Sequence, residues 1–303
     1  MYDLIIIGSG PAGLSAAIYA ARAKLDFVVI ESAYVSGGQI LSTYEIDNYP
    51  GLPGISGQEL ADKMRAHADA LGAQFIIDRI DSISGTLGNF VLKSSTKEYE
   101  AKTVIITTGA EHAKLGVEGE DAFQGKGVSY CATCDGMFFR KKDVVVVGGG
   151  DTALSDAIYL SRICNSVTLI HRRDELRGAK SLQDKYFSAD NAKVEWSSEL
   201  ASINGDKMVS SVTIRNKVTG ELKELPVRGV FIAVGIKPNS SYFEGFVETD
   251  DRGYIIAGEN GATSVEGIFA AGDVRKKALR QIITAAADGA NAVDSVQEVL
   301  TKL

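Results

Sequence analysis

Two stretches of the chain share one order of apolar runs, glycine turns and helical segments. Leu4-Ile5-Ile6-Ile7 is a short β-branched run that meets a glycine turn, Ala12 to Ala23 reads as an alanine-rich helix, and Phe27-Val28-Val29-Ile30 gives a second strand that delivers Glu31 at its end. The pattern starts again at Asp143. Val144 to Val147 is a buried-type strand, a second glycine turn follows, Ala153 to Ile163 reads as helix, and Val167-Thr168-Leu169-Ile170 is the next strand. Strand, turn, helix and parallel strand, occurring twice, predict an α/β fold with two Rossmann-like nucleotide-binding domains.

Two later segments return to the first of these domains. Gly267-Ile268-Phe269-Ala270-Ala271-Gly272-Asp273 is a strand running into a turn with an acid, and Arg280-Gln281 open an alanine-rich helix toward Val299. The chain crosses outward at Val104 to Thr107, followed by Thr108-Gly109-Ala110. It returns at Phe231 to Gly235 with Lys237-Pro238-Asn239. The expected organisation is a discontinuous first domain, residues 1–112 and 243–303, with a second domain over residues 113–242 inserted into it.

The glycine turns carry the first candidate chemistry. In Gly8-Ser9-Gly10-Pro11-Ala12-Gly13, Gly8 allows the tight turn, Gly10 lets backbone approach a pyrophosphate, and Gly13 lets helix and strand pack closely. Glu31, eighteen residues after Gly13, sits where the ribose hydroxyls of an adenosine belong. The second turn, Gly148-Gly149-Gly150-Asp151-Thr152-Ala153, is followed at the end of its next strand by His171-Arg172-Arg173-Asp174-Glu175-Leu176-Arg177. Guanidinium groups at that position suit a 2′-phosphate, so the second nucleotide is read as NADPH rather than NADH. Asp273 suits flavin ribityl hydroxyls, and the helix N-terminus after Gln281 suits negative charge on a reduced flavin.

Between the two turns lies Cys131-Ala132-Thr133-Cys134-Asp135. Three cysteines in 303 residues make no disulfide framework, so the close pair reads as redox chemistry or metal ligation. A zinc site would need two more ligands, and Cys164, His171, His112 and His67 stand at no paired spacing. Cys164 reads as core filling and His67, on an amphipathic helix from Glu59 to Leu71, as surface. The 39 acidic and 32 basic residues give a net charge of −7 with no basic run, which argues against nucleic acid as a partner. A strand so near the first residue leaves no room for a charged leader, and no apolar run approaches the ~18 residues of a membrane span, so a cytoplasmic protein is expected.

Taken in order, GSGPAG, the Gly37-Gly38-Gln39 turn, Asp47-Asn48-Tyr49-Pro50-Gly51, CATCDG, GGGDTA, HRRDELR and Ala271-Gly272-Asp273-Val274 with Arg280-Gln281 resemble the low-molecular-weight thioredoxin reductases over essentially the whole sequence. The resemblance implies three-layer ββα/βα domains, FAD in the discontinuous one and NADPH in the inserted one, within a cytoplasmic homodimer that alternates two domain orientations. It implies that NADPH reduces FAD, the flavin reduces a Cys131 to Cys134 disulfide, and the dithiol reduces thioredoxin. Cys134 would face the flavin, Cys131 would attack the substrate disulfide, and Asp135 would protonate the leaving thiolate. That last role requires a pKa raised by burial or by the neighbouring thiolates. Cofactor contacts are implied at Gly8, Gly10, Pro11, Ala12, Gly13, Glu31, Gly38, Gln39, Asn48, Thr108, Gly109, Gly272, Asp273, Arg280, Gln281 and Ile282. For the second nucleotide they fall at Gly148, Gly150, Asp151, Thr152, Ala153, His171, Arg172, Arg173 and Arg177.

The chain departs from the family at Leu154-Ser155-Asp156-Ala157, where many members carry two glutamates, and at Met137 and Phe138, which replace an aromatic pair. Three rival readings remain at this point: electrons from ferredoxin, a different disulfide carrier, and a flavin redox sensor without turnover. Relatives that use ferredoxin typically lack the second glycine signature and the arginines, and both stand here.

Overall fold

The computed structural model describes every residue except Tyr44, Glu45 and Asp47, so Asp47 of the Asp47–Gly51 stretch lies outside the described residues. Six α-helices occur among the described residues: α1 (Pro11–Arg22), α2 (Gly57–Ala70), α3 (Ala132–Asp135), α4 (Asp151–Ser161), α5 (Lys180–Phe187) and α6 (Ile282–Leu300). The chain divides into two compact units, one made of Met1–Glu111 with Lys237–Leu303 and the other of His112–Ile236. The return crossing therefore falls ahead of residue 242. Phe243, 1% exposed, explains the difference: it is buried with Ile80, Ile83 and Phe90 in the core of the first unit.

In the first unit, strand Tyr2–Ile7 lies parallel to Phe27–Glu31 on one side and to Glu98–Ile106 on the other. Phe75–Ile77 extends the sheet beyond Phe27–Glu31, and Ile268–Ala270 joins Glu98–Ile106 in parallel. The antiparallel strands Asn89–Ser94 and Ile80–Thr86 complete the seven. Because side chains alternate along a strand, a four-residue apolar run feeds two cores. Leu4 and Ile6 pack with Ala12, Ala16 and Ala20 of α1 and Ala292 and Val296 of α6. Ile5 and Ile7 pack on the opposite face with Ile83, Phe90 and Leu92 of the antiparallel strands. Helices α1 and α6 approach closely because Gly289 has no side chain: a Cβ there would lie 2.1 Å from the Ala12 carbonyl oxygen.

The second unit repeats this arrangement. Its five strands run in the order Ala192–Glu195, Ser166–Ile170, Asp143–Val147, Gly229–Ile232, Val128–Ser129, all parallel. Val144 and Val146 face α4 and its neighbours, while Val145 and Val147 face a three-stranded antiparallel sheet of Ser198–Gly205, Val209–Asn216 and Leu222–Pro226. Each unit thus packs helices on a parallel sheet, with antiparallel strands that continue the same sheet in the first unit and form a separate sheet in the second. Cys164 is buried in the helix-side core, where burial pushes its thiol up to about 11, and His67 is exposed.

Candidate functional site

The two glycine turns are built alike. Gly8 N–H donates to the Ile30 carbonyl at 2.8 Å and Gly148 N–H to the Ile170 carbonyl at 3.1 Å, so each turn is pinned to the end of the next strand. Both glycines have positive φ, +104° and +156°, and a Cβ would lie 2.6 Å from the carbonyl oxygen of Thr107 or Ala233. At Gly13 a Cβ would lie 2.0 Å from the Gly8 carbonyl oxygen, so strand and helix meet as close packing requires. Gly10 and Gly150 differ. A Cβ at Gly10 would have only the Gly37 carbonyl oxygen, at 3.9 Å, within reach, and one at Gly150 would meet nothing within 4 Å. These two residues are the helix N-caps, with no side-chain cap on either, and Pro11 opens α1. Open backbone at an uncapped helix N-terminus is a cradle that a pyrophosphate fits.

The ends of the second strands carry opposite chemistry. Glu31 Oε2 accepts from Ser9 N–H at 2.6 Å and from Ser9 Oγ at 2.7 Å, and Oε1 accepts from Ala33 N–H at 2.9 Å. Ser9, which is buried, thereby fixes the acid beside the first turn, a partner that the GSGPAG pattern alone did not single out. In the second unit the same position is His171. Its ring is buried, with Nε2 2.9 Å from the Glu175 carbonyl, and it fills the space where a Gly149 Cβ would lie 2.2 Å from Nδ1. Burial is the main cause holding its pKa below the ordinary histidine value. Arg172, Arg173 and Arg177 are exposed, and Arg177 and Gly178 N–H groups both donate to the Gly149 carbonyl, which draws the arginine loop to the glycine turn. Asp151 Oδ1 accepts from Ala179 N–H at 2.7 Å and secures the far side of that loop.

The remaining predicted flavin contacts gather in the first unit as a linked set. Thr108 Oγ1 donates to the Asn239 carbonyl at 2.6 Å while Asn239 N–H donates to the Gly109 carbonyl at 3.0 Å. Gln39 Nε2 donates to the Ala110 carbonyl, in the turn after Gly38. Asn48 Nδ2 donates to Gln281 Oε1 at 2.8 Å. Gln281 is the N-cap of α6 in a capping box with Thr284, so the helix begins at Ile282 rather than at Arg280, and its own cap satisfies part of the terminus expected to face a ligand. Arg280 stacks its guanidinium 4.0 Å from the Tyr254 ring centroid. Among the described residues, Asp273 Oδ1 and Arg280 Nε are buried and have no hydrogen-bond partner. Burial raises the Asp273 pKa, opposed by Lys277 and Arg280. A buried acceptor and a buried donor left unsatisfied fit polar groups of a ligand, such as a flavin and its hydroxyl chain provide.

The cysteines are in the second unit. Cys131 and Cys134 form a disulfide, with Cα atoms 5.3 Å apart, at the start of the four-residue α3. Ser129 ties the motif together: its Oγ donates to Asp135 Oδ2 at 2.6 Å, and Cys131 N–H donates to that Oγ at 3.1 Å. Asp135 Oδ1 is buried and unpartnered among the described residues. Burial raises the Asp135 pKa, partly offset by Ser129, which is the condition an acid role requires. Nothing in the sequence pattern marked Ser129, two residues outside the CxxC.

The chain agrees with known proteins over its length. Residues 2–289 match the pyridine nucleotide-disulphide oxidoreductase family, whose members use a flavin and a nicotinamide nucleotide. A thioredoxin reductase from Streptomyces clavuligerus is 46% identical over 99% of this chain and 94% of its own, and one from Bacillus subtilis is 46% identical over 100% and 96%. The crystal structure of thioredoxin reductase from Streptococcus pyogenes superposes with a TM-score of 0.97 at 46% identity, covering 100% of this chain and 99% of that one. The described helices include none long and apolar enough to cross a membrane. A redox disulfide, two glycine turns on duplicated parallel sheets, and similarity along the whole sequence lead to one assignment: the chain belongs to the thioredoxin reductases of the pyridine nucleotide-disulphide oxidoreductase family.

Proposed function

We propose that the protein is an NADPH-dependent thioredoxin reductase, with FAD in the first unit, NADPH in the second, and thioredoxin as the substrate. The observation that carries this reading is the Cys131–Cys134 disulfide, held beside an acid with one buried oxygen in a chain with two nucleotide cradles. The choice of NADPH rests on Arg172, Arg173 and Arg177 in the loop drawn to the second cradle, since guanidinium forks match the 2′-phosphate that distinguishes NADPH. FAD would be held by the Gly10 cradle, by Glu31 at the adenosine ribose, and by Asp273 and Arg280, whose orphaned atoms would gain partners. When bound, FAD supplies the two-electron relay between nicotinamide hydride and disulfide.

The residues of this chain perform the rest. Cys131 thiolate attacks one sulfur of the substrate disulfide, forming a mixed disulfide and releasing a substrate thiolate, which takes the Asp135 proton. Cys134 thiolate then attacks Cys131 sulfur, restoring the Cys131–Cys134 disulfide and releasing the second substrate thiolate, which is protonated from water. Two electrons pass to the substrate and none is left on the enzyme. Ser129 keeps Asp135 aimed during this exchange through its 2.6 Å hydrogen bond. The protein works in the cytoplasm as a homodimer under this proposal, and sedimentation at micromolar concentration should give twice the chain mass of 32.2 kDa.

Anaerobic titration of the oxidised flavoprotein with NADPH tests the electron path. FAD and a disulfide each take two electrons, so about two equivalents per chain are expected for full reduction. One equivalent would disconnect the cysteines from the flavin. No bleaching with NADPH, but bleaching with reduced ferredoxin, would overturn NADPH as donor.

A further inference from the structure

The first unit contains a charged cluster that no sequence motif marked. Asp288 lies on α6 with its side chain 9% exposed. Its Oδ2 accepts from Gly272 N–H at 3.0 Å, Arg275 Nε at 2.9 Å and Lys277 Nζ at 2.7 Å, and its Oδ1 accepts from Arg275 Nη2 at 2.7 Å. Lys277 is 7% exposed. One buried carboxylate therefore faces two cations, and the cluster carries a surplus positive charge in a place with little water to screen it. Burial works to raise the Asp288 pKa, but hydrogen bonds from Arg275 and Lys277 outweigh it and hold the carboxyl below the ordinary aspartate value.

The cluster is joined to the candidate flavin site through the backbone. Gly272, which donates to Asp288, precedes Asp273, and Arg275 closes the same turn through its N–H to the Gly272 carbonyl. The only carboxylate in that turn, Asp273, presents a buried oxygen without a partner among the described residues. An acid in such a place needs both a fixed backbone and a nearby positive charge to remain an acceptor. Asp288 gives the first through Gly272, and Lys277, held against Asp288, gives the second together with Arg280.

We propose that Asp288 and Lys277 are positioning residues of the flavin site: Asp288 locks the Gly272–Arg275 turn that presents Asp273, and Lys277 supplies the buried cation that balances Asp273 and favours an electron-rich flavin. The inference rests on the assignment of flavin to the first unit. Neither side chain is asked to touch the reacting atoms.

The test uses the full chain, stripped of flavin and titrated with FAD, with the midpoint potential of the refilled protein as a second readout. Lys277→Met leaves the bidentate Arg275–Asp288 pair in place and should melt with the wild type. It should bind FAD about tenfold more weakly, a loss of about 1.4 kcal/mol, and should shift the flavin potential to more negative values, because a positive charge has been removed. Asp288→Asn leaves two cations uncompensated and loosens the turn, so FAD binding weakens while the potential moves to more positive values. Opposite shifts are the signature of a charge effect that a merely structural role would not produce. Wild-type affinity and potential in Lys277→Met overturn the inference, as do shifts of the same sign in both variants; if Asp288→Asn does not fold, Lys277→Met decides alone. A wild-type chain that takes up no FAD overturns the flavin reading and this inference with it, whereas normal uptake with unaffected variants overturns the inference only.

Discussion

The two units use one scaffold to present opposite charges at one place. In both, the strand after the glycine turn pairs in the same register, Ile7 beside Ile30 and Val147 beside Ile170, and the next residue marks the divergence. In the first unit that residue is Glu31, whose carboxylate is tied down by Ser9 and Ala33. In the second it is His171, buried against Gly149, and the arginines after it stand on an exposed loop. A carboxylate held by backbone suits hydroxyls, and guanidinium groups in solvent suit phosphate. The two units thus differ in charge at one strand end, while the β-branched runs and close glycines that build the scaffold are common to both.

The sharpest asymmetry is that only the second unit carries the disulfide. Cys131→Ser should lower kcat/KM with thioredoxin by at least about a thousandfold, since the nucleophile is gone, yet NADPH should still bleach the flavin with one equivalent. Retention of turnover in that variant would remove the disulfide from the mechanism. Next in size, the two kinds of glycine should separate. Gly13→Ala places a Cβ 2.0 Å from a backbone oxygen and should cost about 3 kcal/mol of stability, read by urea unfolding. Gly10→Ala meets no atom closer than 3.9 Å, so it should unfold like the wild type while losing FAD affinity. Equal stability losses at the two positions would erase the distinction between packing and cradle.

Replacing both Arg172 and Arg173 with alanine should raise KM for NADPH by about tenfold to a hundredfold, the scale of one or two charge-assisted hydrogen bonds, with KM for NADH unchanged. If both cofactors suffered alike, the arginines would be acting through the loop and not through a 2′-phosphate. The smallest effect concerns Asp156 on α4, whose carboxyl is pushed up to about 7 by burial. A folded-state pKa above the unfolded one means that the native chain holds a proton the unfolded chain has released. Stability is therefore lost as pH rises from the ordinary aspartate value of 3.8 to about 7, and the loss is complete above that. Asp156→Asn should melt with the wild type near pH 4 and a few degrees above it at pH 8. A constant difference across that range would mean that the carboxyl does not titrate there.

Much of this was legible in the chain because the parallel strands announce themselves. Leu4 to Ile7 and Val144 to Val147 are apolar on both faces, and each ends at a glycine turn whose function dictates its spacing. The strands of the antiparallel layers were not located from the residues, although the family resemblance implied a second β layer. Strands such as Ile80–Thr86 and Ser198–Gly205 mix serine, asparagine and glycine into their alternation, because one face meets the core and the other meets water. At the candidate site, Asp135 and Asp273 stand in motifs and Glu31 at the end of the strand after the first glycine turn, so all three could be named in advance. Ser9, although inside the first turn, and Ser129 and Asp288, outside any motif, act as partners from places where a small polar or acidic residue would equally well face solvent. Only the fold shows that Asp288 lies opposite Arg275 rather than outside.

The division of the chain also sets an order of assembly during synthesis. The second unit is one continuous segment, complete when Ile236 has emerged. The first is not: strand Glu98–Ile106 lacks its Ile268–Ala270 neighbour, and α1 lacks the Gly289 face of α6, until residues far beyond that point are made. On the ribosome, the inserted unit can therefore fold while residues 1–111 wait with an unpaired strand edge and a bare alanine face. Through that stage the exposed edge is a place where another chain could pair until the C-terminal segment covers it.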